Sequence, residues 1–374
     1  MDFHYFSPMT TQRHLALDVL RGITVTLMII VNNAGNGATT FAPLHHAKWH
    51  GFTPTDWVFP TFLFVVGNAM SFSLEKFGTE GNGPFFRKVV KRTVIIFVLG
   101  YLMYWFPFVH EQDGHMVFKA ISETRIFGVL QRIALAYFFA ALILHFWKER
   151  GALIFSVVAL LGYWMLLYVF GDYTLSGNAV LKLDLAWFGP NHLYHRAGIP
   201  FDPEGLLSTL PAIVNVIAGY LTGRFIQQKG NSYEAIAKLM IMGTLFLLVA
   251  LSWDMVFPIN KRIWTSSFVL YAVGWDLLIL SVLIFVIDIK NEKRWTYFFE
   301  VFGKNTLFIY LLSELGTVIF DIRVGEVELN TWLYQHVFRL TGDYAGSLLF
   351  AVSWMLVCWG VGFWMDKKKI YVKV

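Results

Sequence analysis

The chain has 374 residues, 56% of them hydrophobic and only 15% charged, with a mean hydropathy of +0.55. Soluble domains carry about 25% charged residues, so the deficit excludes an ordinary soluble enzyme and points to an all-α polytopic membrane protein. The formal net charge of +5 does not argue for nucleic acid, because the basic residues gather in the short loops between apolar runs.

Met1 to Arg13 is polar and aromatic, with no basic stretch leading into a short apolar run, so no signal peptide is expected. Ten spans then follow, at 15–35, 55–75, 90–108, 125–147, 152–170, 206–227, 236–257, 264–288, 298–320 and 344–366. Each is near the ~20 residues that a bilayer core requires, and the short gaps make residues 1–374 one domain. Every second connection is rich in Lys and Arg: Arg87-Lys88 with Lys91-Arg92, Lys148 and Arg150, Arg224 with Lys229 and Lys238, and Lys290 with Lys293 and Arg294. Lys367-Lys368-Lys369 closes the series, so both termini are expected in the cytoplasm and the alternate loops outside. Lys261-Arg262, in a tight outer connection, breaks this rule; such a pair is either a simple exception or a ligand for an anion.

The first span carries Asp18, Arg21, Asn32 and Asn33, and the second opens at Thr53-Pro54-Thr55-Asp56 and carries Asn68. Between them, on the outer side, runs His45-His46-Ala47-Lys48-Trp49-His50-Gly51. The outer connection 171–205 is the longest, at about 35 residues; loops of that length tend to be functional, and its aromatic content suggests a lid. The segment Asn330 to Arg339 alternates at helical spacing and is expected to lie along the outer interface. Cys358 is the single cysteine, so neither a disulfide framework nor a thiolate metal site is available.

Polar groups inside a bilayer are costly, and each asks for a partner or a function. Asp18 and Arg21 stand three apart on one helix face, as a structural ion pair or a ligand site. For Asp254, Asp276 and Glu314 the structural reading is favoured. His46 is the residue best suited to chemistry, since a neutral imidazole can take a proton from an amine or hydroxyl and pass it on. Asp56 would orient the ring or cap the helix, and Asn32 would donate to a carbonyl oxygen gaining negative charge. Together these make the minimum set for acyl transfer. A metal held by His45, His46 and His50 is disfavoured, because neither an HExxH pattern nor a matching carboxylate accompanies them.

Several blocks resemble the heparan-α-glucosaminide N-acetyltransferase family, in order and across nearly the whole chain. They are Leu17-Asp18-Val19-Leu20-Arg21-Gly22, Val31-Asn32, His46-Ala47-Lys48-Trp49-His50-Gly51 and Asp56-Trp57-Val58-Phe59-Pro60. Gly128-Val129-Leu130-Gln131-Arg132, Phe201-Asp202-Pro203-Glu204-Gly205, Pro258-Ile259-Asn260-Lys261-Arg262-Ile263-Trp264 and Gly303-Lys304-Asn305 continue the series. The chain resembles the short bacterial members, without the luminal domain and extra span of the lysosomal enzyme. The resemblance departs at Trp49-His50-Gly51, where the family has Trp-Asn-Gly, and in a longer segment between Asn32 and His46.

The resemblance implies transfer of acetyl from cytosolic acetyl-CoA, as co-substrate and without a metal, to the amine of a glucosamine-type sugar or a glucosamine-ended glycan beyond the membrane. It puts the catalytic histidine at His46 and its partner asparagine at Asn32. Arg132, Gln131, Arg21, Asn68 and Lys304 become candidates for CoA. Asp202, Glu204, Lys261, Trp264 and His50 become candidates for the acceptor pocket, although Asp-Pro-Glu-Gly can also simply start a helix. A bacterial inner-membrane homodimer is implied too. Direct transfer with His46 as base stands beside an acetyl-His46 intermediate. The rival functions are an amino-sugar permease and an O-acyltransferase acting on an exported glycan.

Overall fold

A computed structural model describes residues 14–78, 81–112, 115–195, 198–320, 323–324 and 327–372. The expectation for Met1 to Arg13 lies outside them. Apolar runs fold as α1 (Leu15–Asn32), α2 (Pro54–Gly78), α3 (Asn82–Trp105), α4 (Val129–Phe170), α5 (Ala179–Phe188) and α6 (Thr209–Lys229). The chain continues as α7 (Tyr233–Asp254), α8 (Ser266–Leu283), α9 (Thr296–Lys304), α10 (Thr306–Phe320), α11 (Leu329–Leu333) and α12 (Asp343–Lys367). Two short antiparallel hairpins interrupt the helices, β1 (Val109–Gln112) with β2 (His115–Phe118) and β3 (Arg323–Val324) with β4 (Val327–Glu328). The fold is all-α in its essentials. The segment Asn330 to Arg339, expected as an interfacial helix, is helical.

Among the described residues, seven helices are long and apolar enough to cross a membrane: α1, α2, α4, α6, α7, α8 with its continuation to Ile289, and α12. This makes the chain an integral membrane protein, but with seven such helices rather than ten. The difference has three sources. The expected spans 125–147 and 152–170 are one 42-residue element, α4, which breaks at Lys148 with φ of 56°. A straight helix of that length would reach about 63 Å, and the ends of α4 in fact return to one pole. Near its start Arg132 meets Gly205, and just past its end the Tyr173 carbonyl accepts from Trp49 Nε1 at 2.6 Å. The expected span 298–320 divides into α9 and α10 at Asn305, whose side chain is spent on the C-terminal tail. Its Nδ2 donates to the Ile370 carbonyl and its Oδ1 accepts from Val372 N, both at 2.9 Å. Finally, α3 opens with the basic residues Arg87, Lys88, Lys91 and Arg92, which lower its hydropathy.

Without a hydrophobic force between helices in lipid, close backbone approach carries much of the packing. At the crossing of α2 and α6, Gly67 lies against the Val216 carbonyl and Gly219 against the Phe64 carbonyl. A Cβ at either position would collide with backbone, so the crossing requires both glycines. Buried polar groups find local partners. Asp276 Oδ1 accepts from Trp57 Nε1 at 2.8 Å and Thr61 Oγ1 at 2.6 Å, and Asp254 Oδ1 accepts from Ile259 N at 2.6 Å. Both carboxylates tie elements together, as expected for structural groups.

One pole collects the histidine loop, the starts of α2, α4, α6 and α8, and the connection 171–205. Gly51 N donates to the Ile259 carbonyl at 2.8 Å and Ile126 N to the His192 carbonyl at 3.2 Å. The long connection is not an open loop: it contains α5, and its Val180 and Phe201 join an apolar cluster with Tyr163 and Leu167 of α4 and Phe257 and Ile263 between α7 and α8. The connection also sends Tyr194, and Pro203 and Glu204 near its end, to the wall of the cavity described next.

Candidate active site

The loop between α1 and α2 closes on the first turn of α2. Asp56, 1% exposed, folds back so that Oδ2 accepts from Ala47 N at 2.9 Å and Thr53 N at 3.1 Å. Thr53 Oγ1 donates to the same oxygen at 3.0 Å, an arrangement close to a capping box. The other oxygen, Oδ1, lies 2.7 Å from His46 Nδ1. Orienting the ring and capping the helix, alternatives in the sequence, are therefore carried by one carboxylate. His45 turns instead to the Thr40 carbonyl at 3.1 Å, and His50 Nδ1 lies 3.3 Å from Asn260 Nδ2.

Lys261 reaches the pair from the connection between α7 and α8. Its Nζ is 3.3 Å from His46 Nδ1 and 3.7 Å from Asp56 Oδ1. The turn that presents it is rigid: Asn260 Oδ1 accepts from Arg262 N at 2.8 Å and Ile263 N at 3.1 Å. Trp264 closes the turn at φ of 51°, a left-handed conformation that a bulky residue adopts only when its surroundings compel it. Here those surroundings are Phe59, Phe268 and the Arg132 guanidinium, with Trp264 Nε1 donating to Asn215 Oδ1 at 3.0 Å.

The electrostatics follow from these contacts. Burial holds the His46 imidazole below its ordinary 6.5, and the Lys261 ammonium pushes it further down, outweighing Asp56. Its side chain is 47% exposed, toward a confined cavity. Burial likewise lowers Lys261, against the pull of Asp56 and Glu204. His46 is thus a neutral base at physiological pH, with Nε2 left for a substrate.

That cavity, about 280 Å³, is lined by His46, Asp56, Arg125, Tyr194, Glu204 and Lys261 among others. Arg125 organises its far wall. The guanidinium bonds Asp202 through Nε at 2.8 Å and Nη2 at 2.7 Å, and Glu204 through Nη2 at 2.6 Å. It lies between the rings of Tyr104 and Tyr194, 4.8 Å and 4.7 Å from their centroids. Burial raises the Glu204 carboxyl, but Arg125, Arg132 and Lys261 lower it more, so it is ionised and can receive a cation or hydroxyl.

A second cavity, about 360 Å³, runs among α1, α2, α3, α4 and α10. Its walls are mostly apolar, yet Arg21, Arg92 and Lys304 stand on them. Arg21 pairs with Asp18 at 3.2 Å and Lys304 with Asp366 at 2.9 Å, while Arg92 lies over the Tyr137 ring at 4.8 Å. Among the described residues, Val129 is the one residue common to the walls of both cavities.

The structure therefore sorts the expected site residues. His46, Asp56, Lys261 and Glu204 share the first cavity; Arg21 and Lys304 share the second. Asp202 is fully buried behind Arg125, and Trp264 beneath the Lys261 turn. Arg132 is buried against the Gly205 carbonyl and Ser208 rather than on the wall of the second cavity. Gln131 faces Gly100, and Asn68 faces Gly223; neither is on a cavity wall. Asn32 donates through Nδ2 to Glu314 Oε1 at 3.0 Å. Glu314 is within electrostatic range of Tyr104 and of Tyr310, a residue on the wall of the second cavity. Arg125, Tyr194 and Arg92 escaped the sequence reading. For Arg125 the available signal was a basic residue on the side that loop charge leads one to expect outside, the same anomaly that marked Lys261.

A family model described as heparan-alpha-glucosaminide N-acetyltransferase, catalytic, matches residues 13–252. The human heparan-alpha-glucosaminide N-acetyltransferase is 26% identical over 418 residues, covering 96% of this chain and 59% of that protein. The mouse protein of the same name is 26% identical over 365 residues, covering 82% and 54%. The chain thus spans little more than half the length of these curated relatives. The family match includes His46, Asp56, Arg125 and Glu204, and ends before Lys261.

Proposed function

The chain belongs to the heparan-alpha-glucosaminide N-acetyltransferase family, and from that premise we propose that it moves acetyl from acetyl-CoA to the amine of a glucosamine-type sugar across a membrane. One observation carries the proposal: a His–Asp base faces an outer cavity whose wall, at Val129, is also the wall of an inner cavity bearing three cations. CoA suits the inner cavity, its phosphates near Arg21, Arg92 and Lys304 and its pantetheine along the apolar walls. The amino sugar suits the outer cavity, with Glu204 as partner for a hydroxyl or the ammonium.

With both substrates bound, the free amine attacks the thioester carbonyl while His46 Nε2 takes its proton. Asp56 keeps the Nδ1 proton in place and stabilises the imidazolium as it forms. Asn32, oriented by Glu314, supplies an N–H to the oxyanion. Collapse breaks the C–S bond, and the imidazolium returns the proton to the CoA thiolate. Two cavities meeting at one wall favour this direct transfer over an acetyl-His46 intermediate.

The same reading places the chain in a bacterial inner membrane as a homodimer, a single domain of ten crossings with both termini cytoplasmic. The two halves of α4, together with α3 and α10, would supply the crossings beyond the seven. The deciding assay is purified protein in nanodiscs with acetyl-CoA and glucosamine, read by CoA release and amide product. Loss of both in His46→Ala is expected. In sealed proteoliposomes, uptake of unmodified amino sugar without CoA release would make it a permease, and an ester product in either preparation an O-acyltransferase.

A further inference from the structure

We propose that Val129 is the acyl-selecting partition between the two cavities, an inference that rests on the transfer reading above. The backbone at this point is fixed from both sides. Gly128 precedes it in extended conformation, φ 172°, where a Cβ would collide with the Tyr104 hydroxyl. The Gly128 carbonyl accepts from Arg132 N at 2.9 Å, starting α4, and the Arg132 side chain is anchored on the Gly205 carbonyl and Ser208. Val129 is therefore the first residue of a helix whose start cannot slide. Its β-branched side chain is restricted at χ1, so it makes a stiff wall.

The chemistry must cross this wall. The amine comes from the outer side and the thioester from the inner, and they react only when about 3–3.5 Å apart. The C–N bond forms as the C–S bond breaks, with the amine proton passing through His46 to the departing thiolate. At that moment the methyl of the acetyl group lies against the Val129 isopropyl group. Each further methylene on the acyl chain must find space there, and Val129 denies it.

Two measurements test this. First, Val129→Ala should raise kcat/KM for propionyl-CoA relative to acetyl-CoA by about 10-fold or more, the scale set by one methylene in an apolar pocket. Second, Val129→Cys in a Cys358→Ser background should react with a small charged thiol reagent applied to either face in oriented vesicles, because the residue borders both cavities. An unchanged acyl preference in Val129→Ala overturns the proposal, as does labelling from one face only. A wild-type protein that transfers no acyl group from any acyl-CoA would sink the transfer reading and this role with it. The labelling result would still report whether Val129 divides two accessible spaces.

Discussion

His46 Nδ1 stands 2.7 Å from Asp56 Oδ1, and the other oxygen of the same carboxylate holds Ala47 N and Thr53 N. Loop shape and ring tautomer therefore depend on one side chain. In Asp56→Asn, the amide oxygen is needed by the backbone donors, so the NH2 group must face His46 Nδ1. That contact moves the ring proton to Nε2, where the base should be free. The expected result is a fall in kcat of about 10²–10⁴, with KM nearly unchanged. His46→Ala should fall at least as far. Steady-state kinetics beside a thermal melt checks both, and an Asp56→Asn enzyme of normal kcat would remove the carboxylate from the mechanism.

The Lys261 ammonium, 3.3 Å from the same nitrogen, disfavours the imidazolium. With His46 held below 6.5, activity should rise with pH along a limb centred below that value. Lys261→Met removes the cation but leaves burial and Asp56, so the His46 pKa rises and the limb moves to higher pH. The kcat/KM–pH profile for acetyl-CoA reads this directly. A lysine that only bound acceptor would raise the acceptor KM and leave the limb where it was.

Much of this arrangement was legible from residue types. Intramembrane polarity and loop charge singled out the histidine loop, and the Thr53–Asp56 spacing announced a helix start. The failures have physical causes. Arg125 was hidden because its partners, Asp202 and Glu204, lie more than 75 residues away, within a long connection that packs against α4. Helical pattern alone did not show that Asn305 would break its helix, since the break depends on a tail that returns from α12. Arg132 became a candidate for CoA through the resemblance, which does not tell what its guanidinium touches; the Gly205 carbonyl and Ser208 hold it.

Arg125 sets one positive charge against two carboxylates, Asp202 and Glu204. Breaking a buried pair by removing one partner costs about 3–5 kcal/mol, and Arg125→Met leaves Asp202 and Glu204 together without their cation. Unfolding in detergent should occur at clearly lower temperature, and Asp202→Asn added to that variant should recover part of the loss. An Arg125→Met protein of normal stability would mean that the connection 171–205 is held by its apolar cluster alone.

Arg92 offers the cleanest probe of the inner cavity, because Arg21 and Lys304 already share carboxylates. A charged hydrogen bond is worth about 1.5–3 kcal/mol, so Arg92→Met should raise the KM for acetyl-CoA by roughly 10- to 100-fold. The acceptor KM and the pH profile should stay as they are. Direct titration of CoA onto the variant would show the same weakening without turnover; unchanged CoA affinity would move the phosphates elsewhere.

Asn32 and Glu314 form the last coupled pair, joined at 3.0 Å between α1 and α10. If Glu314 orients Asn32 for the oxyanion, Asn32→Ala should lower kcat by about 10²–10³, the effect of losing one such donor. Glu314→Gln keeps an oxygen to accept the Asn32 amide and should lose less; Glu314→Ala should lose more. Combining Asn32→Ala with Glu314→Ala should add little to the first loss, because a positioning group has no effect once the group it positions is gone. Additive losses would mean that Glu314 acts on its own, through Tyr104 or Tyr310, within whose electrostatic range it lies. A purely structural pair would behave differently again, lowering the unfolding temperature while kcat held.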